Sequence, residues 1–412
     1  MNKLTEYKLD ELYEMGSGIS TKPEQAGHGA PFVSFSSIYN NAILPEELPD
    51  LMDTTEEEQE KYSVKKGDIL LTRTSETLDE LAMSSVAIKD YPNATFSGFA
   101  KRLRPIQNNV TYDKFMAYFM RSAYFRKIVN CKAVMTLRAS FNEEIFSYIK
   151  IELPEYEHQV KCGDLFWDIE QKIRNNNAII AELEAMAKTL YNYWFLQFEF
   201  PNEDGKPYKS SGGKLVWNEV LKMEIPDKWG ASTLGSVFRI TMGSSPKGTT
   251  LNENKEGIEF YQGSTDFGSM FPTERVYTTA PIRMADAQDV LMSVRAPVGT
   301  MNFALNRCCI GRGLAAIQHE SSFYAYNTLH TFDSYFNLYN GTGTTFGALT
   351  SDDLKGQVVI EPSEKIVGLY IEKIKSAEDM MIKIEKENRE LASLRDFLLP
   401  LLMNGQVGFN EK

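Results

Sequence analysis

No apolar run in the 412 residues reaches the roughly 18 needed to cross a bilayer as a helix. The opening stretch, MNKLTEYKLDELYEM, lacks the apolar centre of a secretory signal. Both absences lead us to expect a soluble, cytoplasmic chain with no membrane partner. Cysteine is scarce: Cys131, Cys162, Cys308 and Cys309 form no CxxC pair, so reduced structural thiols are expected. The four histidines, His28, His158, His319 and His330, show no HxxxH or HxH spacing, and no metal is expected. No GxxxxGK loop occurs, because neither GSGIS nor GTGTTFG is followed by Lys-Ser/Thr. GxSxG elbows and NPPY- or DPPY-like motifs are also missing. The carboxylate pairs Glu143/Glu144 and Asp352/Asp353 sit where helices start, and helix capping and dipole effects account for them. The chain therefore offers no catalytic constellation and calls for no cofactor.

Positive charge is short overall, at a net −12, and that opposes nucleic-acid binding. Its distribution is uneven, however. Glu46 to Glu60 carries eight acidic residues and no Lys or Arg, whereas Lys101 to Arg138 carries nine basic residues against Asp113 alone. Within that segment, Lys101, Arg102, Arg104, Lys132 and Arg138 are candidate phosphate contacts. The remaining cations are expected to solvate a helix around KFMAYFMRSAYFRKIV.

What the chain does have is a repeat. LDELYEMGSGIS from Leu9 aligns with LGSVFRITMGSS from Leu234, placing Gly18 on Gly243. Asp68 falls on Asp289, Gly98 on Gly311 and Pro154 on Pro362, and the offset shrinks from 225 to 208. Four ordered blocks with shrinking offsets indicate a duplication of about 200 residues, too long a period for a solenoid. The acidic Glu46–Glu60 stretch resembles insertion material in the longer first copy.

Each copy opens with short apolar runs bounded by Gly, Pro, Asn and Ser, the pattern of short strands with a few helices. Each closes on a long helix. Cys162, Phe166, Ile169, Ile173, Asn176, Ile180, Leu183, Ala187 and Leu190 alternate steps of four and three, and the second copy repeats this from Tyr370 to Leu398. A period of 3.5 sustained over four heptads predicts a coiled coil. The expected fold class is α+β: two mixed α/β domains and two long helices pairing antiparallel in a pseudo-twofold molecule. Asn176 and Asn388 interrupt the seam, and their meeting would fix its register.

The device DILLTRTSE recurs as DVLMSVRAP, an apolar strand running into an exposed Arg. Arg73, with Thr74 and Ser75, and Arg295 are read as equivalents. Arg312, in the second Gly turn, and Thr344 and Thr345, in the polar loop before the helix, join them as candidate DNA contacts. Arg side chains, hydroxyls and Gly-rich backbone are the groups that meet phosphates and base edges.

With these residues in view, the whole chain resembles the specificity (S) subunits of type I restriction-modification systems. KKGDILLTRTSE, DAQDVLMSVRAPVG, IGRGLAAI, ELPEYEHQ, the central LEAMAKTLYNYWFLQFEFPNEDGKPYKSSGGKLVWNEVLKMEIPDKW and the terminal LLPLLMNGQV carry the resemblance. It implies target recognition domains at 1–157 and 229–364, a central conserved helical region at 158–200, a linker at 201–228 and a distal conserved region at 365–412. It implies a non-catalytic subunit that reads a bipartite double-stranded DNA target. Its partners would be two methyltransferase (M) subunits and, through the assembled complex, restriction (R) subunits. S-adenosylmethionine and ATP would bind those partners. The competing reading, favoured by the acidic charge, is a bivalent protein-binding scaffold without DNA recognition.

Overall fold

The computed structural model describes residues 4–75, 81–132, 139–340, 347–403 and 405–408. The chain divides into two compact units, Met1–Arg174 with Arg389–Lys412, and Asn175–Asn388. Each is mixed α/β, and each takes part of both long helices, so the division falls within the helices.

In the first unit, a four-stranded antiparallel sheet runs in the order Tyr13–Ser17, Ala100–Pro105, Ile69–Thr72, Ser84–Val86. The second unit repeats this order with Arg239–Met242, Leu314–Gln318, Val290–Ser293 and Met301–Phe303. The registers correspond residue for residue. Ile69 faces Leu103 and Val86, and Val290 faces Ile317 and Phe303. Ile69–Thr72 and Val290–Ser293 are buried along their whole length, as an apolar run inside a sheet requires.

A smaller sheet accompanies each. Phe32 pairs in parallel with Thr95 in the first unit, and Phe260 with Cys309 in the second. The acidic stretch is partly built into the first of these sheets. Asp50–Met52 pairs with Ala26–Val33, and Glu56–Lys61 is a helix opened by a reciprocal Thr55–Glu58 capping box. Cys308 and Cys309 are buried free thiols in a strand.

The long helices span Tyr156–Tyr191 and Glu364–Met403, and a short π-helical turn, Asn192–Leu196, extends the first. The 3.5-residue spacing corresponds to what is buried. Cys162, Phe166, Ile169, Asn176, Ile180 and Ala187 are buried on the first helix, and Tyr370, Ile374, Ala377, Met381, Ile384 and Asn388 on the second. Their neighbours in sequence are mostly exposed. In the first unit Phe166, Ile169, Leu402 and Met403 join one core, and Arg395 reaches Glu170 at 3.3 Å. In the second unit the Tyr370 hydroxyl donates to the Ala187 carbonyl at 3.1 Å, and Asn176 meets Asn388, so the two helices run antiparallel there. No helix among the described residues is long and apolar enough to cross a membrane.

Candidate nucleic-acid interface

Three segments of the first unit converge on Arg73, where strand Ile69–Thr72 ends. The Arg73 amide donates to the Phe99 carbonyl at 2.8 Å, and its own carbonyl accepts from the Phe141 amide at 2.8 Å. Phe99 lies in a turn closed by the Ala100 amide on the Ser97 carbonyl, 2.9 Å. The Gly18 loop lies against that turn, because the Ile19 amide donates to the Phe96 carbonyl at 2.9 Å. A Cβ at Gly18 would sit 2.1 Å from the Ser97 carbonyl oxygen, so only glycine allows the loop so close.

The second unit is assembled the same way. Val294 donates to Gly313 and accepts from Leu349, each at 2.9 Å, while Leu314 closes a turn onto Gly311. A Cβ at Gly243 would lie 2.1 Å from the Gly311 carbonyl oxygen. These bonds are made by backbone, so the frame persists while side chains on it differ.

The same bonds correct two sequence alignments by one residue each. Arg73 is the counterpart of Val294, which is buried, and Arg295 is the counterpart of Thr74. Ser97, not Gly98, corresponds to Gly311, so Gly98 falls on Arg312 and Phe99 on Gly313. The two arginines thus lie on neighbouring, not equivalent, positions of one frame. Arg73, Arg295 and Arg312 are all exposed, and their guanidinium groups make no hydrogen bond or ion pair among the described residues.

The basic segment is largely spent inside the unit. Arg104 forks onto Asp68, with Nε to Oδ1 at 2.8 Å and Nη2 to Oδ2 at 2.6 Å; that hydrogen bonding raises its pKa. Asp68 itself is fully buried. Arg102 donates to the Ser63 carbonyl at 2.6 Å and lies over the Phe96 ring, and burial lowers its pKa. Lys101 is 7% exposed and donates to the Ser17 hydroxyl at 2.8 Å. Burial, followed by the charge of Arg73, lowers its pKa.

Arg121 does not solvate a helix face. It donates to the carbonyls of Ser84, Ile38, Tyr39 and Asn41, and burial pushes its pKa down to about 10. Arg126 donates to the Leu81 carbonyl and Lys114 pairs with Asp164 at 2.8 Å. The strand Ala100–Pro105 that carries three of these cations is central in its sheet, and charges there must be paired or capped by polar atoms.

Thr74 and Ser75 form a short strand against Ala139–Ser140. The side chains of Ser75 and Lys132, and all of Arg138, Thr344 and Thr345, lie outside the described residues.

At the seam, Asn176 Nδ2 donates to Asn388 Oδ1 at 2.8 Å, and Asn388 Nδ2 donates to Asn177 Oδ1 at 2.9 Å. Asn176 also donates to Glu387 at 2.9 Å. The two buried amides share one hydrogen bond, Asn177 and Glu387 take the remaining donors, and the set fixes which turns of the helices face. Sequence reasoning missed Asn177 and Glu387, although both are polar neighbours of the seam.

One duplicated position differs in charge. Asp289 repeats the Asp68 turn, its carboxylate accepting from the Asp286 amide at 2.8 Å as Asp68 accepts from Lys65. Gln318 stands where Arg104 stands in the first unit. Lacking that cation, Asp289 is pushed up to about 6 by burial. Among the described residues no cluster of three or more His, Cys, Asp or Glu is placed to hold a metal.

The family model for the type I restriction modification DNA specificity domain matches residues 1–185. A Methanocaldococcus jannaschii chain, assigned as the specificity subunit of the type I restriction enzyme MjaX, is 28% identical over 407 residues. That alignment covers 97% of this chain and 92% of the relative. The type I restriction enzyme MjaIX specificity subunit of the same organism is 23% identical over 429 residues, covering 98% and 93%. The fold is shared with the S subunit of a type I restriction-modification system from M. genitalium, at a TM-score of 0.60 and 14% identity. There the match covers 98% of this chain and 96% of that one. The first 185 residues thus match the type I restriction modification DNA specificity domain, and the chain as a whole is similar along its length to type I restriction enzyme specificity subunits.

Proposed function

We propose that the chain is the non-catalytic DNA-reading subunit of a type I restriction-modification complex. Each duplicated unit is a target recognition domain for one half of a bipartite double-stranded target. The long helices form the antiparallel coiled coil between the half-sites, and the chain directs methyltransferase and restriction subunits to the DNA. The observation that supports this best is the duplicated frame. Identical backbone clamps hold exposed side chains, without a hydrogen bond or ion pair among the described residues, that differ between copies: Arg73 in one, Arg295 and Arg312 in the other. Two readers on one frame, each reading its own bases, need that arrangement.

Helices of 36 and 40 residues rise about 1.5 Å per residue. A rod of about 50 Å spans about 15 base pairs, and the half-sites then flank an unread spacer of about 5–9 base pairs. The test is DNA binding by the chain with its methyltransferase partner at graded salt, with sequencing of methylated sites. Salt-dependent, sequence-selective binding to a gapped target is expected. Binding without any salt slope would favour the protein-scaffold reading, and an ungapped target would refute the two-reader geometry.

A further inference from the structure

The geometry points to Phe99 as a base-reading residue of the first unit, making an apolar contact with a thymine 5-methyl group. This rests on the DNA-reading function proposed above. Phe99 is 69% exposed, an unusual position for a phenylalanine that makes no ring contact among the described residues. Its backbone, by contrast, is pinned on both sides. The amide donates to Ser97 Oγ at 3.2 Å and the carbonyl accepts from Arg73 at 2.8 Å. The backbone under the ring is therefore fixed where the ring stands in water, bonded to the Arg73 backbone, at the tip of the turn that the Gly18 loop clamps. Fixing the backbone this way lowers the entropy lost when a ligand meets the side chain it carries.

The second unit shows that the turn does not need the aromatic ring. Its counterpart of Phe99 is Gly313, and the tip side chain is Arg312 one position earlier, on the same backbone bonds. The frame thus presents an apolar tip in one reader and a cationic tip in the other. In the major groove the thymine methyl is the apolar feature that distinguishes a base edge, and guanine offers the acceptor pair suited to Arg.

An aromatic wedge between base pairs is the other use of an exposed ring, but unstacking costs about a few kcal/mol per step and is recovered by wrapping bent DNA against cations. Here the chain carries a net −12, and Lys101, Arg102 and Arg104 next to the turn are engaged internally. The methyl contact asks for no such recovery.

The experiment uses the full chain assembled with its methyltransferase partner and duplexes containing the mapped target. Each thymine of the first half-site is replaced in turn by deoxyuridine, which lacks only the methyl group. We expect one such replacement to weaken wild-type binding about fivefold, the size of one buried methyl contact. Phe99→Ala should lose about as much on the thymine duplex and lose nothing further on the uracil duplex. Phe99→Leu should restore part of the preference, and the salt slope and second half-site should stay unchanged. If Phe99→Ala and the uracil losses add independently, or if Phe99→Ala weakens all sequences alike, the assignment is overturned. A wedge would show as equal loss on thymine and uracil duplexes and also overturns it. Absence of sequence-selective binding by the wild-type complex would instead remove the DNA-reading function itself, and this inference with it.

Discussion

Asp68 and Asp289 occupy the same turn of a duplicated frame, yet replacing each by Asn should have opposite consequences. Asp68 is fully buried and accepts both arms of Arg104, whose side chain is 25% exposed. In Asp68→Asn the Lys65 amide keeps an acceptor, but an NH2 group faces the guanidinium and leaves a charge unpaired. Breaking a buried pair this way costs about 3–5 kcal/mol, and the partial exposure of Arg104 reduces that to about 2–3 kcal/mol. Asp289 has no such partner, and burial lifts its pKa to about 6.

A carboxyl raised on folding binds its proton more tightly in the native state. Stability therefore falls as pH rises from about 4 to about 6, and the cost is fully present above that. Asp289→Asn keeps the acceptor for Asp286 and removes the charge. It should stabilise the second unit by up to about 3 kcal/mol at pH 7.5 and change little at pH 4. For units of roughly 200 residues, 1 kcal/mol shifts Tm by about 2–4 °C. Asp68→Asn should then lower the melting of the first unit by about 4–12 °C. Thermal melts at the two pH values, with amide exchange over 68–72 and 289–293 to say which unit responds, measure both. Equal destabilisation by the two substitutions, or a pH-independent effect of Asp289→Asn, would refute the reasoning.

Gly18→Ala and Gly243→Ala should each disable one reader while the other half-site stays recognised, because each Cβ would enter a carbonyl oxygen at 2.1 Å; methylation mapping reads this. Arg73→Ala and Arg295→Ala should each cost about 1–3 kcal/mol if the group meets a base, and relax only its own half-site. Arg102→Ala should lower the melting temperature and leave the salt slope of DNA binding unchanged, since its guanidinium is held by the Ser63 carbonyl. Replacing Asn176 and Asn388 together by Leu should raise thermal stability and loosen the spacing required between half-sites, read as methylation at altered spacers.

The duplication was legible because its markers answer to the frame itself: Gly18 and Gly243 permit a backbone approach, and Asp68 and Asp289 close a turn. The seam was legible too, since a period of 3.5 leaves few other ways to bury Phe166 or Ile374. The arginines were read one position out of step because side-chain identity was aligned, whereas the repeat is kept by backbone bonds that the sequence does not display. Lys101, Arg102 and Arg104 read as a binding patch because nothing local shows that their strand is central. Their partners, Ser17, Ser63 and Asp68, lie 36 or more residues away. Phe99 gave no signal, since an exposed aromatic and a core aromatic are the same letter.

The first unit is closed by residues that follow the whole of the second unit in the chain. Leu402 and Met403 belong to its core, and the His158 ring meets the Leu402 carbonyl at 3.4 Å. On a ribosome adding about 5–20 residues per second, the roughly 200 residues between Arg174 and Arg389 take about 10–40 s to emerge. For that interval the core that holds Cys162, Phe166 and Ile169 lacks Leu402 and Met403, while the second unit has its whole sequence available first. A chain cut before Arg389 would thus lose the integrity of its first unit, and a nascent chain would complete its second unit before its first.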